Sequence, residues 1–471
     1  MPVTTKIYQG IGALPGSHKD WAFSAVLLLY YNQILGVPAT AASIALAAAL
    51  LIDAITDPLV GAYSDQFKSR LGRRHPFMYA AAVPIGVLGY LLFSPPADAG
   101  HGVLTAWLLV NTVLLHIAFT FFVVPWNALA AEYSDDYVER TSIIAYRHLV
   151  GWIGGVVFAF CVLTYVFAST EQHPAGQLNP DAYPVFAVVL GSLMTLWVLI
   201  TTHLTRREVP YLLQPVDAAS RVSVGALLRQ ILLSLRSRNF RLILVGHLIF
   251  AGLSGIGGVF DIYMNTYFWE FVAEDLRWFT LTICGALIGI AAAQPLQRRF
   301  EKHRILMLML SLAAVLGMLK VILRFADVWP DNGDPSLLIA LVIQGALFVL
   351  CMTIGGIMFS SMTADLVDEQ ELHTGLRQEG IYASSIAFSA KAVTSLGLII
   401  GGLLLDYVIA FPKASTPGSV AGDTLFRLAF IDGIAVNLLF VVPIAMLSRY
   451  TLTRTALTDV QARLARRRGG A

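Results

Sequence analysis

Charge is scarce in this sequence. Asp, Glu, Lys and Arg make up 13% of its 471 residues, about half the ~25% usual for soluble domains. The shortfall excludes an ordinary soluble chain. With 57% hydrophobic residues and a mean hydropathy of +0.70, it points to a membrane protein. The net charge is only +2, and the basic residues sit in short clusters rather than along one face, so nucleic acid is excluded as a partner. Cys161, Cys284 and Cys351 stand alone in apolar runs without C-x-x-C or Cys/His spacing, so neither a disulfide nor a cysteine metal centre is expected. The histidines form no H-E-x-x-H, and neither G-x-S-x-G nor G-x-x-x-x-G-K-[ST] occurs. No enzyme, no cofactor and no ATP-driven step is therefore expected. A cleavable leader is not expected either, because the first apolar run follows Asp20 and passes into a second without a small-residue cleavage site.

What is present is a series of long apolar runs. A bilayer span needs ~20 largely apolar residues, and twelve such runs occur, near 20–37, 40–63, 76–94, 103–130, 142–168, 184–204, 241–269, 277–297, 304–325, 336–364, 378–411 and 424–448. The first division is the least marked, with Pro38 in "GVPATAASI" supplying the break. The connections "QFKSRLGRRH", "RREVPYLLQPVDAASR" and "QRRFEKHR" and the tail "RLARRR" are basic, whereas "SPPADAGHG", "STEQHPAGQLNPDAYP" and "FADVWPDNGDPS" are nearly devoid of Lys and Arg. That alternation places both termini in the cytoplasm. It also divides the chain into an N-terminal six-helix bundle (1–204), a cytoplasmic middle loop (205–240), a C-terminal six-helix bundle (241–448) and a basic tail (449–471). A loose likeness between "GAYSDQFKSRLGRRHPF" and "PLQRRFEKHRILML", at matching places in the two halves, suggests a duplicated transporter. The tail reads equally as an amphipathic membrane-surface segment or a solubilising end.

Ionisable groups within spans are functional candidates, since each costs ~2.5–3.5 kcal/mol at the bilayer centre. In "LIDAITDPLVGAYSD", Asp53 and Asp57 are four residues apart and share a helix face. Two carboxylates there repel unless a cation or proton lies between them. Pro58 frees the carbonyl of Ala54 as a further oxygen ligand, and hard oxygen donors suit Na⁺ as well as a shared proton. The competing reading is a structural pairing with a basic group, and Lys391, alone in "SSIAFSAKAVTSLG", is its natural partner. Lys19 and Asp20 in "GSHKDWAF" read equally as flanking charges or as site residues. Arg147 in "RTSIIAYRHLVGW", and Asp261 with Asn265 among the aromatics of "GVFDIYMNTYFWEF", complete the set. Arg offers a bidentate fork to hydroxyls or carboxylates, and rings cover the apolar face of a sugar or a lipid chain.

These residues resemble the glycoside–pentoside–hexuronide:cation symporters of the major facilitator superfamily. The likeness rests on "KDWAF", on "DAITDPLVG" followed by "KSRLGRRHPF", and on two longer segments, "VPWNALAAEYSDDYVERTSIIAYR" and "ADLVDEQELHTGLRQEGIYASSIAFSAK". It covers nearly the whole chain and implies an all-α membrane fold of twelve helices in two pseudo-symmetric bundles. Carried over residue by residue, the resemblance implies a cation site at Asp53 and Asp57, helped by Thr120, with Lys391 as a movable counter-charge; Thr56, between the two aspartates, is a further candidate. It implies a substrate site that takes Lys19, Asp20 and Arg147, to which Trp126, Asn127, Asp261, Tyr382 and Lys391 are added as candidates. Charged segments at the cytoplasmic side, with Asp65, Arg73, Asp136, Glu139, Arg140, Asp365, Asp368, Glu371 and Arg377, are implied as gates.

The departures from the family pattern fall in the pocket. Val123 replaces a sugar-binding aspartate, Asn127 and Gly356 replace tryptophans, and Thr56 replaces an asparagine between the two aspartates. The expected function is symport of a glycoside or related sugar with Na⁺ or H⁺ by alternating access, in a monomer whose partners are the solute and the lipid bilayer, in the inner membrane of a bacterium. Lysophospholipid transport on the same fold, and a non-transporting sensor or scaffold, are the alternatives.

Overall fold

The computed structural model describes residues 1–134, 136–212, 238–374 and 379–469, with backbone alone at 137–138, 370, 373–374, 379–385, 465 and 467–469. Among the described residues the regular structure is entirely helical. In the N-terminal half, α1 (Val3–Ile11) and α2 (Leu14–Ala22) are followed by α3 (Ala39–Gln66), α4 (His75–Leu92), α5 (His101–Glu132), α6 (Tyr137–Cys161) and α7 (Ala182–Thr205). The C-terminal half holds α8 (Arg238–Tyr263), α9 (Ile283–Arg299), α10 (Lys302–Phe325), α11 (Pro335–Thr374) and α12 (Glu379–Leu403). It continues through α13 (Gly422–Ala429), α14 (Val441–Leu447) and α15 (Arg454–Gly469).

Among the described residues, eleven helices are long and apolar enough to cross a bilayer, and each satisfies its own backbone groups, as hydrocarbon requires. The expected first span is helical from Leu14 through wider π turns at Phe23–Leu27 and Tyr30–Ile34. It is absent from the eleven because Lys19, Asp20, Asn32 and Gln33 dilute its apolar content. Side chains such as Val83, Val87, Ile339 and Ile343 are exposed on the outer surface, as lipid-facing positions should be.

Three boundaries differ from the sequence reading. Helix α1 precedes the first expected span, its polar Thr5, Lys6 and Gln9 being buried against the rest of the protein. Helix α11 continues ten residues beyond 364, so "DLVDEQELHT" is helix rather than loop. The tail is a helix packed on α11, with Val460 and Leu464 buried, instead of lying free at a surface.

Helices pack mainly within their own half: α3 and α4 on α5, α4 on α7, α8 on α12, and α9 and α10 on α11. Small residues permit the close approaches. A methyl added to Gly86 would meet the Gly191 carbonyl at 2.5 Å, and one at Gly255 would meet the Thr394 carbonyl at 2.5 Å. Lipid tails are as apolar as leucine, so such intimate contact, rather than exclusion of water, holds membrane helices together. One large contact joins the halves, that of α3 with α12. It sets the helix carrying Asp53 and Asp57 against the helix carrying Lys391.

Candidate cation and substrate sites

Asp53 and Asp57 lie one turn apart on α3, facing Thr120 of α5 and Lys391 of α12. The Lys391 ammonium donates to Asp57 Oδ2 at 2.7 Å and stands 3.6 Å from Asp53 Oδ2. Thr120 Oγ1 lies 3.0 Å from Asp57 Oδ1 and 3.3 Å from Asp53 Oδ1. Its single proton satisfies one acceptor at a time, and Asp57 is nearer. Thr56 Oγ1 reaches Thr120 Oγ1 at 3.3 Å but also bonds the Ile52 carbonyl of its own helix at 3.0 Å. The expected cation group is therefore assembled in one place. Asp57 is 36% exposed and Asp53 15%, so Asp57 forms the watered edge and Asp53 the back.

His116, which the sequence reading passed over, closes the back of this group. It is buried, with Nδ1 3.0 Å from Asp53 Oδ2 but poorly aligned for a hydrogen bond. Its signal was positional, for it lies one turn before Thr120 on the same face of α5. As found, the ammonium takes the place that a hard cation would occupy, among oxygens of the kind such a cation prefers.

The other expected substrate residues divide into three places. Lys19 pairs with Asp20 at 3.3 Å and lies over the Phe119 ring at 5.1 Å, while the Asp20 carboxylate is largely exposed. Arg147 stacks on Trp126 at 3.7 Å and hydrogen-bonds Asn127. His18, next to Lys19, rests on Phe158, three turns along α6 from Arg147, so the Arg147 cluster sits well toward the basic face. Trp126 is also tied to α1, its indole N–H donating to the Gln9 carbonyl at 2.9 Å.

Asp261 lies in the C-terminal half, on a cavity of about 730 Å³ bordered by Asn265, Lys320, Gln344, Asp432 and Asn437. Lys320 stands 3.7 Å from Asp432. Both were legible as lone charges in apolar runs, "GMLKVIL" and "AFIDGIA", by the rule that singled out Lys391. Val123 is partly buried, and Gly356 borders open space that a side chain could enter. The Tyr382 side chain and all of Arg377 lie outside the described residues.

At the basic face the expected gating residues are spread over several local networks. Arg73 and Arg74 both reach Glu132, at 2.9 and 2.8 Å, and Arg74 also holds Asp65 and Ser64. Glu139 meets Lys6 and the N-terminal amine, each at 3.0 Å. Arg140 donates to the Ser134 carbonyl at 2.6 Å, and the Asp136 amide donates to Ser134 Oγ at 3.1 Å. Asp365 pairs with Lys302 at 2.6 Å, Asp368 accepts from Gln461 of α15, and Glu371 has a partner of its own.

The opposite, non-basic face carries polar ties between the halves that the sequence reading missed. Tyr263 Oη donates to Asn32 Oδ1 at 2.7 Å, and Gln33 Nε2 donates to the Pro412 carbonyl. The Asp406 carboxylate accepts the Ala39 and Thr40 amides at 3.1 and 2.8 Å. It thereby caps α3 across the interface, where the positive end of the helix dipole favours an acid.

An integral, multi-pass helical protein with an acid–lysine site between its halves is the form of a secondary transporter. Residues 8–454 match the family described as MFS/sugar transport protein, and the chain belongs to that family, as the resemblance implied. It is similar to an inner membrane symporter of Escherichia coli, 26% identical over 82% of this chain and 77% of the relative. It is also similar to an isoprimeverose transporter of Lactiplantibacillus pentosus, 23% identical over 81% and 76%. Among solved structures, the inward-open xylose transporter of E. coli aligns with a TM-score of 0.62 at 12% identity, covering 98% of this chain and 99% of that one. At that identity the match establishes the fold alone.

Proposed function

We propose that this protein is a cation-coupled sugar symporter of a bacterial inner membrane, working by alternating access between two six-helix bundles, with α2 and its π turns as the twelfth span and both termini cytoplasmic. The observation that carries the reading is the Lys391 ammonium seated on Asp57 and beside Asp53, across the contact between the halves. A coupling ion, Na⁺ or H⁺, that neutralises the carboxylates displaces the ammonium, because both compete for the same oxygens. The freed Lys391, together with Lys19 and Asp20, then faces the solute.

Coupling follows if the sugar binds the cation-loaded state better than the empty one, since that preference acts equally in both directions. The polar ties on the non-basic face support a state closed on that side. Charged and amide groups around the C-terminal cavity favour a polyhydroxylated solute over a lipid chain, whose burial needs no such groups. The names of the relatives, a symporter and a sugar transporter, point the same way.

The test is uptake into proteoliposomes under an imposed Na⁺ gradient or pH gradient. Accumulation of a sugar should follow one gradient and vanish in Asp57→Asn. Equal accumulation by Asp57→Asn, or none by the native protein under either gradient, overturns the reading.

A further inference from the structure

Helix α8 places Asp261 at the wall of the 730 Å³ cavity, with its carboxylate exposed to the space rather than packed away. Asn265, one turn on, borders the same cavity. Across the cavity, Lys320 of α10 stands 3.7 Å from Asp432, and both border the same space as Asp261. Two carboxylates face one ammonium, and Lys320 stands nearer Asp432, so an ionised Asp261 is left without a close basic partner. A charge left in this way within a membrane protein is costly and marks a place where a ligand completes the set.

The surroundings are those of a sugar subsite. Trp21, next to Asp20, and Ser24, one turn beyond it, border the same cavity from the first span, and Trp269 and Phe348 line it too. Asn265, Asn437 and Gln344 each present both a donor and an acceptor. The cavity volume is within the range of small-molecule sites. None of these groups belongs to the Asp53/Asp57 site.

We infer that Asp261, Asn265, Lys320 and Asp432 form a second substrate subsite that takes a sugar presenting hydroxyl or ammonium groups, and that refuses a carboxylate. The inference rests on the sugar-transport reading and adds to it the charge of the solute. Hydroxyls and ammonium groups donate to Asp261. A uronate would place a second negative charge against it, and like charges in contact repel. Lys320 offers a uronate no relief while Asp432 holds it.

The experiment is ligand binding to the purified full chain, read by tryptophan fluorescence because Trp21 and Trp269 border the cavity. The probes are matched methyl hexosides in the gluco and galacto series, each as the neutral sugar, the amino sugar and the uronate. In the series that binds, the neutral and amino forms should bind at least ~10-fold more tightly than the uronate, equivalent to about 1.4 kcal/mol. Asp261→Asn removes the charge while keeping the shape, and should shrink that discrimination to within about threefold. Uronates that bind the native protein as tightly as their neutral counterparts overturn the inference, and this comparison requires no variant to fold. An unchanged preference in folded Asp261→Asn overturns it too. Either result, with cation-driven uptake intact, leaves the symport reading standing; loss of cation-driven uptake of every sugar counts against that reading instead.

Discussion

The Lys391 ammonium joins the two halves of the molecule by donating to Asp57 Oδ2 at 2.7 Å. It comes from a residue 334 positions away in the chain, and it occupies the seat that the proposed coupling ion needs. A cation and a tethered ammonium that share one pair of carboxylates are competitors, and their competition is what makes one site report on the other.

Removal of the competitor gives the first prediction. Lys391→Met should tighten cation binding by ~10-fold or more, corresponding to about 1.4 kcal/mol, while net sugar accumulation falls because the ion no longer displaces anything. Calorimetric titration of Na⁺ at fixed pH, or of protons in its absence, measures the first effect and liposome uptake the second. Weaker cation binding in this variant would mean that the lysine holds the carboxylates in place rather than competing for them.

Thr120 is the only hydroxyl within reach of both carboxylates among the described residues. Thr120→Val is nearly isosteric and removes one oxygen and one donor. A hydrogen bond to a charged group contributes ~1.5–3 kcal/mol, so cation affinity should fall by roughly 10- to 100-fold with the thermal midpoint little changed. Titration of the coupling ion, with circular dichroism melts alongside, reads both.

Arg74 is the hub of the buried network at the basic face. Its guanidinium holds Glu132, Ser64 and Asp65 at once, and both Arg74 and Glu132 are under 10% exposed. Arg74→Ala leaves a buried acid with Arg73 alone. Breaking a buried pair in this way costs about 3–5 kcal/mol, and the change should appear as a large drop in thermal stability in detergent. A melting curve within a degree or two of the native one would show that Arg73 suffices.

Asp406 caps α3 from the other half on the non-basic face. Replacing a capping acid by Ala costs about 0.5–2 kcal/mol. Asp406→Ala should therefore shift the population toward opening on that side, as any change with unequal effect on two states must. Val37, fully buried beside the cap, provides the reporter. A cysteine introduced there should react several-fold faster with an impermeant maleimide when Asp406 is Ala. Equal rates would show that the Tyr263 and Gln33 ties keep the face shut unaided.

Much of this was open to reading in the chain itself. The spans appear as apolar runs because hydrocarbon leaves a backbone few alternatives to the helix. Asp53, Asp57 and Lys391 are conspicuous because a charge in such a run is costly wherever it lies. Lys320 and Asp432 were equally visible by that rule. Arg74 and Asp406 were not, since a charge near a span end is ordinary until its neighbour from another helix is known; His116 stood in mid-span, but its part in the site appeared only with Asp53 beside it.

What the sequence determined by itself was the class of the molecule, the location of its helices and the list of costly residues, all of which follow from local composition and the solvent around each segment. What only the tertiary structure decided was who meets whom. Lys391 sits on Asp57, Lys320 leans to Asp432 and leaves Asp261 to the cavity, and Arg147 is held near the basic face by Trp126 and Asn127. Those pairings are set by how helices distant in the chain cross, through close contacts such as Gly255 on α12, and no local pattern encodes the angle or register at which two helices meet.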